Sequence, residues 1–243
     1  MSELISVAEA ETLIARHMPS FGSERVALDD AAGRILREPI RAERDQPPFD
    51  RVMMDGIALR WNGSLPRSFT LAGVQLAGMV AQTLVDEGSC IEVTTGAMLP
   101  DGCDCIVPVE QTRRDGERYV LAEGYQPALS QFIHARGSDC VIDALLLDAG
   151  IRIGAPEMAV LAANGVTDVE VASVPSVAVV ATGDELVDVG AALGEGQIRR
   201  SNDRALAAAL RSRGFDRVAL SQVADDLDAT IAILGALLAA HQV

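Results

Sequence analysis

Pro47 and Pro48 limit the fold of this chain more than any other pair of residues. Each lacks an N–H and fixes φ, so the stretch Pro47-Pro48-Phe49-Asp50-Arg51-Val52-Met53-Met54-Asp55-Gly56-Ile57-Ala58-Leu59-Arg60 starts extended and excludes a helix. Gly56 lets the backbone beside Asp55 turn or lie close to a ligand, and Ile57 and Leu59 then alternate as strand residues do. On spacing alone, two readings stand side by side: a turn that starts a strand, with Asp50 and Asp55 solvated, or carboxylates held for chemistry.

Around this segment the pattern changes twice. Ser6 followed by Glu9 gives an S-x-x-E capping box, and Val7, Ala10, Leu13 and Ile14 mark an apolar helical face up to about His17. Asp29 and Asp30 look like the cap of a second helix through Ala31, Ala32, Ile35 and Leu36, which Pro39 must end. From Asp45 to Asp139 short strands take over, clearest at Phe69–Leu71, Ile91–Val93, Cys105–Val109 and Tyr119–Leu121; the block reads as a small antiparallel β domain inserted into the first framework. Ala155-Pro156-Glu157 then opens a helix that Asn164-Gly165 closes.

Beyond Pro175, Val177–Val180 suits a buried parallel strand, with Thr182-Gly183-Asp184-Glu185 as the loop at its carboxyl end. Asn202 or Asp203 caps a helix closed by Gly214, Phe215–Val223 supplies a second strand, and Asp226–Ala240 a second helix. That is the start of a doubly wound α/β domain. So few elements would leave the Val177–Val180 strand with an open edge. The expected organisation is a discontinuous mixed α+β domain over 1–44 and 140–174, an inserted β-rich domain over 45–139, and a partial α/β domain over 175–243.

Composition removes several function classes. At 49% apolar and 3% aromatic over 243 residues, the chain is a folded protein whose cores are mainly aliphatic, with little material for stacking on nucleobases. A net charge of −15 argues against general nucleic-acid binding. All 20 basic residues are arginines, which excludes a Schiff-base lysine and a P-loop lysine among these residues. Cys90, Cys103, Cys105 and Cys140 match no zinc spacing; Cys103 and Cys105 lie in strand-like sequence where they could share a face, and free buried thiols are the expectation. Met1-Ser2-Glu3 starts no signal peptide, and no uninterrupted apolar span of membrane length occurs, so the expected location is the cytoplasm, without a membrane partner.

The Pro47–Arg60 segment resembles the PPFD-x-x-x-MDG-[YF]-A signature of the molybdopterin molybdenumtransferases, the MoeA family that includes the E-domain of gephyrin. The match holds at Pro47, Pro48, Phe49, Asp50, Met54, Asp55, Gly56 and Ala58; Ile57 replaces the usual aromatic. Thr94-Thr95-Gly96-Ala97-Met98-Leu99-Pro100-Asp101-Gly102-Cys103-Asp104-Cys105-Ile106-Val107 and Ala181-Thr182-Gly183-Asp184-Glu185-Leu186-Val187, followed by Gly196-Gln197-Ile198-Arg199-Arg200-Ser201-Asn202, are similar to later motifs of the same family, in its order.

The resemblance implies Mg²⁺-dependent cleavage of adenylylated molybdopterin, with molybdate inserted at the dithiolene and AMP released. It implies catalytic roles for Asp55, Asp139 and Glu185, substrate contacts from Thr95, Gly96, Thr182, Gly183, Asp184, Ser201 and Asn202, and metal binding by Glu185 and Asp226. Carboxylates at the carboxyl end of a parallel strand suit Mg²⁺, although Asp184 and Glu185 read equally as caps of the next element. Arg136 and Arg152 are candidate anion contacts; Arg199 and Arg200 replace the family's usual residues before Ser-Asn and would alter the pocket or lie on its rim. The family also implies a homodimer whose site is shared between subunits, with the 1–44 and 140–174 domain serving dimerisation, and dealings with molybdopterin adenylyltransferase or molybdoenzymes. The family continues past the second helix with a Gly-Gly-rich loop and a further β domain. The expectation is therefore an amino-terminal part of such an enzyme, the alternatives being a non-catalytic pterin-binding or scaffold protein or an inactive fragment.

Overall fold

The computed structural model describes residues 4–63 and 66–243; the Met1-Ser2-Glu3 start, where no signal peptide is expected, lies outside the described residues, as do Ser64 and Leu65. The chain divides into two compact units, one running up to Ile40 and from Leu147 onward, the other Arg41–Leu146. The fold is mixed α and β throughout.

The Arg41–Leu146 unit is built on a six-stranded sheet in the order Cys105–Pro108, Gly56–Leu59, Ser89–Val93, Ser68–Gln75, Arg118–Leu121, Thr112–Asp115. Its pairings are antiparallel except that Ser68–Gln75 and Ser89–Val93 run parallel, with a bulge between Leu71 and Gly73. The sheet is thus not purely antiparallel as the sequence suggests, because residues 76–88 are long enough to carry the chain back to the same end before it re-enters the sheet.

Alternation places an apolar cluster on each face of this sheet. Ala58, Ile91, Val93 and Ile106 pack with Val52, Leu84, Ala97 and Cys103 on one side. Ile57, Leu59, Cys90, Cys105 and Val107 pack with Phe69, Tyr119 and Leu121 on the other, backed by Trp61 and Tyr125. Four of the chain's eight aromatic side chains therefore serve one cluster. Phe69 alone, fully buried there, contributes roughly 2–3 kcal/mol of transfer free energy.

Cys103 and Cys105 fall in different clusters, not on one face. The strand begins only at Cys105, and the turn at Gly102 (φ +84°) breaks the alternation before it. Burial pushes the Cys90, Cys103 and Cys105 thiols up to about 12, so they are inert apolar groups and not a redox or metal pair.

In the other unit, Val7–His17 is a helix whose Ser6 capping box closes as its sequence requires, with the Glu9 amide 3.2 Å from Ser6 Oγ and the Ser6 amide 2.7 Å from Glu9 Oε2. Ser23–Ala27 pairs antiparallel with Asp168–Ala172, and the helix Ala155–Ala163 buries Leu161 in a cluster with Leu36, Ile153, Val169 and Val171.

The expected helix through Ala31–Leu36 does not form. Leu28–Asp30 makes one 3-10 turn, Gly33 sits at φ +81°, and Ile35 and Leu36 bridge to Arg152 and Val171. The amides of Gly33 and Leu36 find the carbonyls of Ile153 and Ile151, at 2.8 and 2.9 Å, so tertiary partners replace helical ones.

Further along this unit, Val177–Thr182 and Val218–Val223 run parallel in register from Val177↔Val218 to Thr182↔Val223. The helices Asn202–Arg211 and Leu227–Ala240 follow them in the chain, as strand–helix–strand–helix. Asp226 caps the last helix by accepting the Ala229 amide at 2.8 Å. Ser201, not Asn202 or Asp203, takes the cap position of the preceding helix, and its side chain makes no capping bond. The open edge expected for Val177–Val180 is met at its start by backbone bonds of Gln242 and Val243 to Ser176 and Ala178. No helix among the described residues is long and apolar enough to cross a membrane.

Candidate functional site

Asp55 lies on the turn between the short strand Arg51–Val52 and the strand Gly56–Leu59. Gly56 is required there by space: a Cβ on it would overlap the Val107 carbonyl oxygen and stand 2.9 Å from the Val109 amide nitrogen. This close approach lets Val109 donate to the Asp55 carbonyl at 2.8 Å, which fixes the Asp55 backbone against the neighbouring strand.

The Asp55 side chain is exposed, yet it is held. One oxygen, Oδ1, accepts from both the amide (2.6 Å) and the hydroxyl (2.7 Å) of Thr95. These donors, the amide first and the hydroxyl second, hold the Asp55 carboxyl below the usual carboxylate range, so it is an anion at neutral pH. It can accept a proton or a hydrogen bond, or face a cation, but it cannot serve as a general acid there.

Thr95 and Gly96 are placed by the same segment. Gly96, at φ +88°, donates to the Val52 carbonyl (2.9 Å) while Val52 donates to the Ala97 carbonyl (3.0 Å). Met53 donates to Phe132 and Leu99 to Asp50, so the Pro47–Arg60 and Thr94–Gly102 segments, far apart in sequence, close on each other around Asp55.

A third segment joins them. Arg51–Val52 pairs antiparallel with Ile133–His134, and the amides of Gly137 and Asp139 donate to the carbonyls of Pro47 and Gln46. Arg51 Nη2 lies 2.9 Å from His134 Nδ1, and His134 Nε2 lies 2.9 Å from Asp139 Oδ1. Arginine offers only donors, so Nδ1 is the acceptor and Nε2 carries the hydrogen given to Asp139. Asp139 thus belongs to an Arg51–His134–Asp139 line that the sequence reading did not find. His134 stands five residues before Asp139 on a short strand and is one of three histidines, which was the available signal.

Arg136 is committed within this region. Its Nε pairs with Asp45 at 2.8 Å, and its amide donates to Asp50 at 2.8 Å. The Ile142 amide and then the Arg136 guanidinium hold the Asp45 carboxyl below its ordinary value. Asp50 and Asp45 thereby pin the 136–142 turn.

In the other unit, the Thr182–Glu185 loop leaves the carboxyl end of the Val177–Thr182 strand, where open α/β sheets bind ligands. Gly183 is buried at φ +137°, and a Cβ there would overlap Glu185 Oε2. Asp184 accepts the Asp225 amide at 3.1 Å and so ties together the loops that follow the two parallel strands. Glu185 is exposed, and Asp226 spends one oxygen on its helix cap. Among the described residues, no group of three acidic, histidine or cysteine side chains is arranged to hold a metal ion. Glu185 and Asp226 therefore do not by themselves supply a Mg²⁺ ligand set.

Arg199 and Arg200 take separate structural parts in the segment before Ser201 and Asn202. Arg199 donates to the carbonyls of Val189 (2.7 Å) and Ala191 (3.3 Å). Arg200, with 12% of its side chain exposed, stands 3.0 Å from Asp188 and 3.4 Å from Asp203, whose side chain is 1% exposed. Neither Arg200 Nε nor Asp203 Oδ2 meets hydrogen-bond geometry, so this is a charge pair, and the buried acid is compensated by proximity.

Residues 5–165 match the family described as the MoeA N-terminal region (domain I and II). A molybdopterin molybdenumtransferase of Synechocystis is 38% identical over 230 residues, covering 94% of this chain and 59% of that protein. One from Staphylococcus epidermidis is 32% identical, covering 98% of this chain and 58% of its own length. The crystal structure of a molybdopterin biosynthesis MoeA protein from Pyrococcus horikoshii superposes with a TM-score of 0.87 at 29% identity, covering 99% of this chain and 65% of that one. The chain thus spans about 58–65% of the length of these relatives.

Proposed function

The chain belongs to the MoeA family, and on that premise we propose that it acts in molybdenum cofactor biosynthesis, inserting molybdate into adenylylated molybdopterin with release of AMP. The observation that carries this reading is the closure of two motif segments on one carboxylate: Thr95 fixes Asp55 as an anion, inside the residues that match the family. A fixed, ionised, solvent-facing carboxylate suits a reaction in which an anhydride is cleaved and a proton or a water must be accepted.

Asp55 and Asp139 are assigned the catalytic positions of one unit, with Thr95 and Gly96 shaping the floor beside them. Glu185 is assigned to the other unit, with Thr182, Gly183, Asp184, Ser201 and Asn202 as the pterin-side contacts. In a cytoplasmic homodimer, Asp55 of one protomer and Glu185 of its partner would serve the same site. The helix Val7–His17 supports a second subunit, since Val7 and Ile14 are 77% and 60% exposed on its apolar face. Mg²⁺ would neutralise phosphate charge when bound, and among the described residues of one chain no group of three acidic, histidine or cysteine side chains is arranged to hold it.

The test incubates the purified protein with adenylylated molybdopterin, with and without molybdate and Mg²⁺, and quantifies AMP. Molybdate-dependent release that falls about a hundredfold or more in Asp55→Asn supports the reading. The absence of molybdate-dependent AMP from wild-type protein that binds the pterin overturns it.

A further inference from the structure

A cleft of about 640 Å³ in the first unit, whose lining includes none of the residues assigned to the proposed reaction, is lined by four arginines and by no carboxylate. In a chain with 35 acidic and 20 basic residues, that local balance is the reverse of the whole. Arg34 and Arg152 come from the framework, while Arg211 and Arg213 come from the end of the Asn202–Arg211 helix and the turn beyond it.

Their present partners leave charge to spare. Arg152 donates to the Gly33 carbonyl, Arg211 to Val218 and Arg213 to Ala209, at 3.1, 3.3 and 3.1 Å, and none of the three makes an ion pair among the described residues. Arg211 and Arg213 also answer the negative end of their helix, a structural role that Arg34 and Arg152 do not have. Arg34 pairs with Glu24 through Nη2, but its Nε is buried and has no hydrogen-bond partner. An unpaired buried donor costs free energy that an acceptor from a ligand would recover. Glu24 and Asp216 border only the adjoining hollow beside Arg34. Ile35 and Phe215 give the cleft an apolar wall.

We propose that this cleft binds a phosphate monoester carrying an apolar or aromatic group, the phosphate held by Arg34 and Arg152 with Arg211 and Arg213, and the apolar group against Phe215 and Ile35. Guanidinium donors match phosphate oxygens two at a time, and a concave basic site in an acidic protein concentrates such anions. The inference does not rest on the proposed reaction.

Calorimetric titration of the 243-residue chain with phenyl phosphate, inorganic phosphate and phenol at low salt tests it. Phenyl phosphate is expected to bind at least about tenfold more tightly than either of the others. Arg152→Ala/Arg213→Ala is expected to weaken it by about tenfold or more while the amide spectrum away from the cleft stays that of the wild type, with phenyl phosphate shifting the amide resonances of Gly33 and Gly214 in the wild type. No binding of phenyl phosphate, equal affinity for phenol or inorganic phosphate, an unchanged affinity in the double variant, or amide shifts confined to other residues would each overturn the assignment.

Discussion

Thr95 gives both of its donors to a single oxygen of Asp55, the amide at 2.6 Å and the hydroxyl at 2.7 Å. Two residues separated by 40 positions thereby set one ionisation state. The contact joins the two motif segments that the sequence could only record as separate.

Removing the hydroxyl while keeping the shape isolates its share. Because the Asp55 carboxyl lies below its ordinary value, the unfolded chain takes up this proton first as pH falls, so the stabilisation is present above the unfolded value of about 3.9 and is lost as pH falls through the folded one. Thr95→Val is expected to move the Asp55 titration upward, toward the unfolded value. Its loss of stability should be full at pH 7 and should narrow in acid. Carbon-detected NMR titration of Asp55 together with denaturant midpoints at both pH values checks this; an unmoved titration refutes it.

Gly56 tests whether space or backbone angle fixes the turn. A Cβ at Gly56, whose own strand is paired on both sides, meets the backbone of Val107 and Val109, whereas Gly116 sits at φ +61° with nothing within 4 Å. Gly56→Ala is expected to cost about 3 kcal/mol or more, through overpacking that cannot relax. Gly116→Ala should cost only about 1–2 kcal/mol, for the left-handed backbone alone. Equal costs in urea unfolding would remove the steric account.

His134 offers a prediction that needs no substrate. With Arg51 donating to Nδ1, the ring is expected as the Nε2–H tautomer, visible in ¹⁵N spectra and assignable by removing His17 and His241. In Arg51→Met, Asp139 still accepts from Nε2, so the Nε2–H form should persist, and a mixture of tautomers should appear only when Asp139→Ala is added. A wild-type Nδ1–H ring would contradict the line of contacts.

Much of this was legible in the residues, and the failures have definite physical causes. Ser6 and Glu9 announced a helix start because a capping box is a local contract within four positions, and Val177–Val180 announced a strand by composition. Ala31–Leu36 misled because helical spacing was present but the backbone amides of Gly33 and Leu36 were taken by Ile153 and Ile151, more than a hundred positions away. The parallel pairing of Ser68–Gln75 with Ser89–Val93 carries no local signal at all, since register is decided by the strands on either side. Asp55 was found from its motif; His134 and the tie from Arg51 were not, because the antiparallel pairing that aligns them spans 83 positions.

Arg200 and Asp203 form a charge pair that brackets Ser201 and Asn202. Asp203 is the buried member, at 1% side-chain exposure, and its other oxygen accepts the Arg204 amide at 2.8 Å; Arg200 is held also by Asp188, which is 64% exposed. Taking away the buried acid leaves a guanidinium that is largely out of water facing one solvated carboxylate, so Asp203→Ala is expected to cost about 3 kcal/mol. Taking away the arginine as well removes the stranded charge, so Arg200→Met/Asp203→Leu should cost less than Asp203→Ala alone, a non-additivity that a double-mutant cycle in urea measures directly. The pair immediately precedes and follows Ser201 and Asn202, so the single variant should also shift the amide resonances of these two residues while the apolar double variant restores part of the wild-type pattern. Additive costs would mean that the two side chains are independently solvated, and the segment would then owe its position to the Arg199 contacts with Val189 and Ala191.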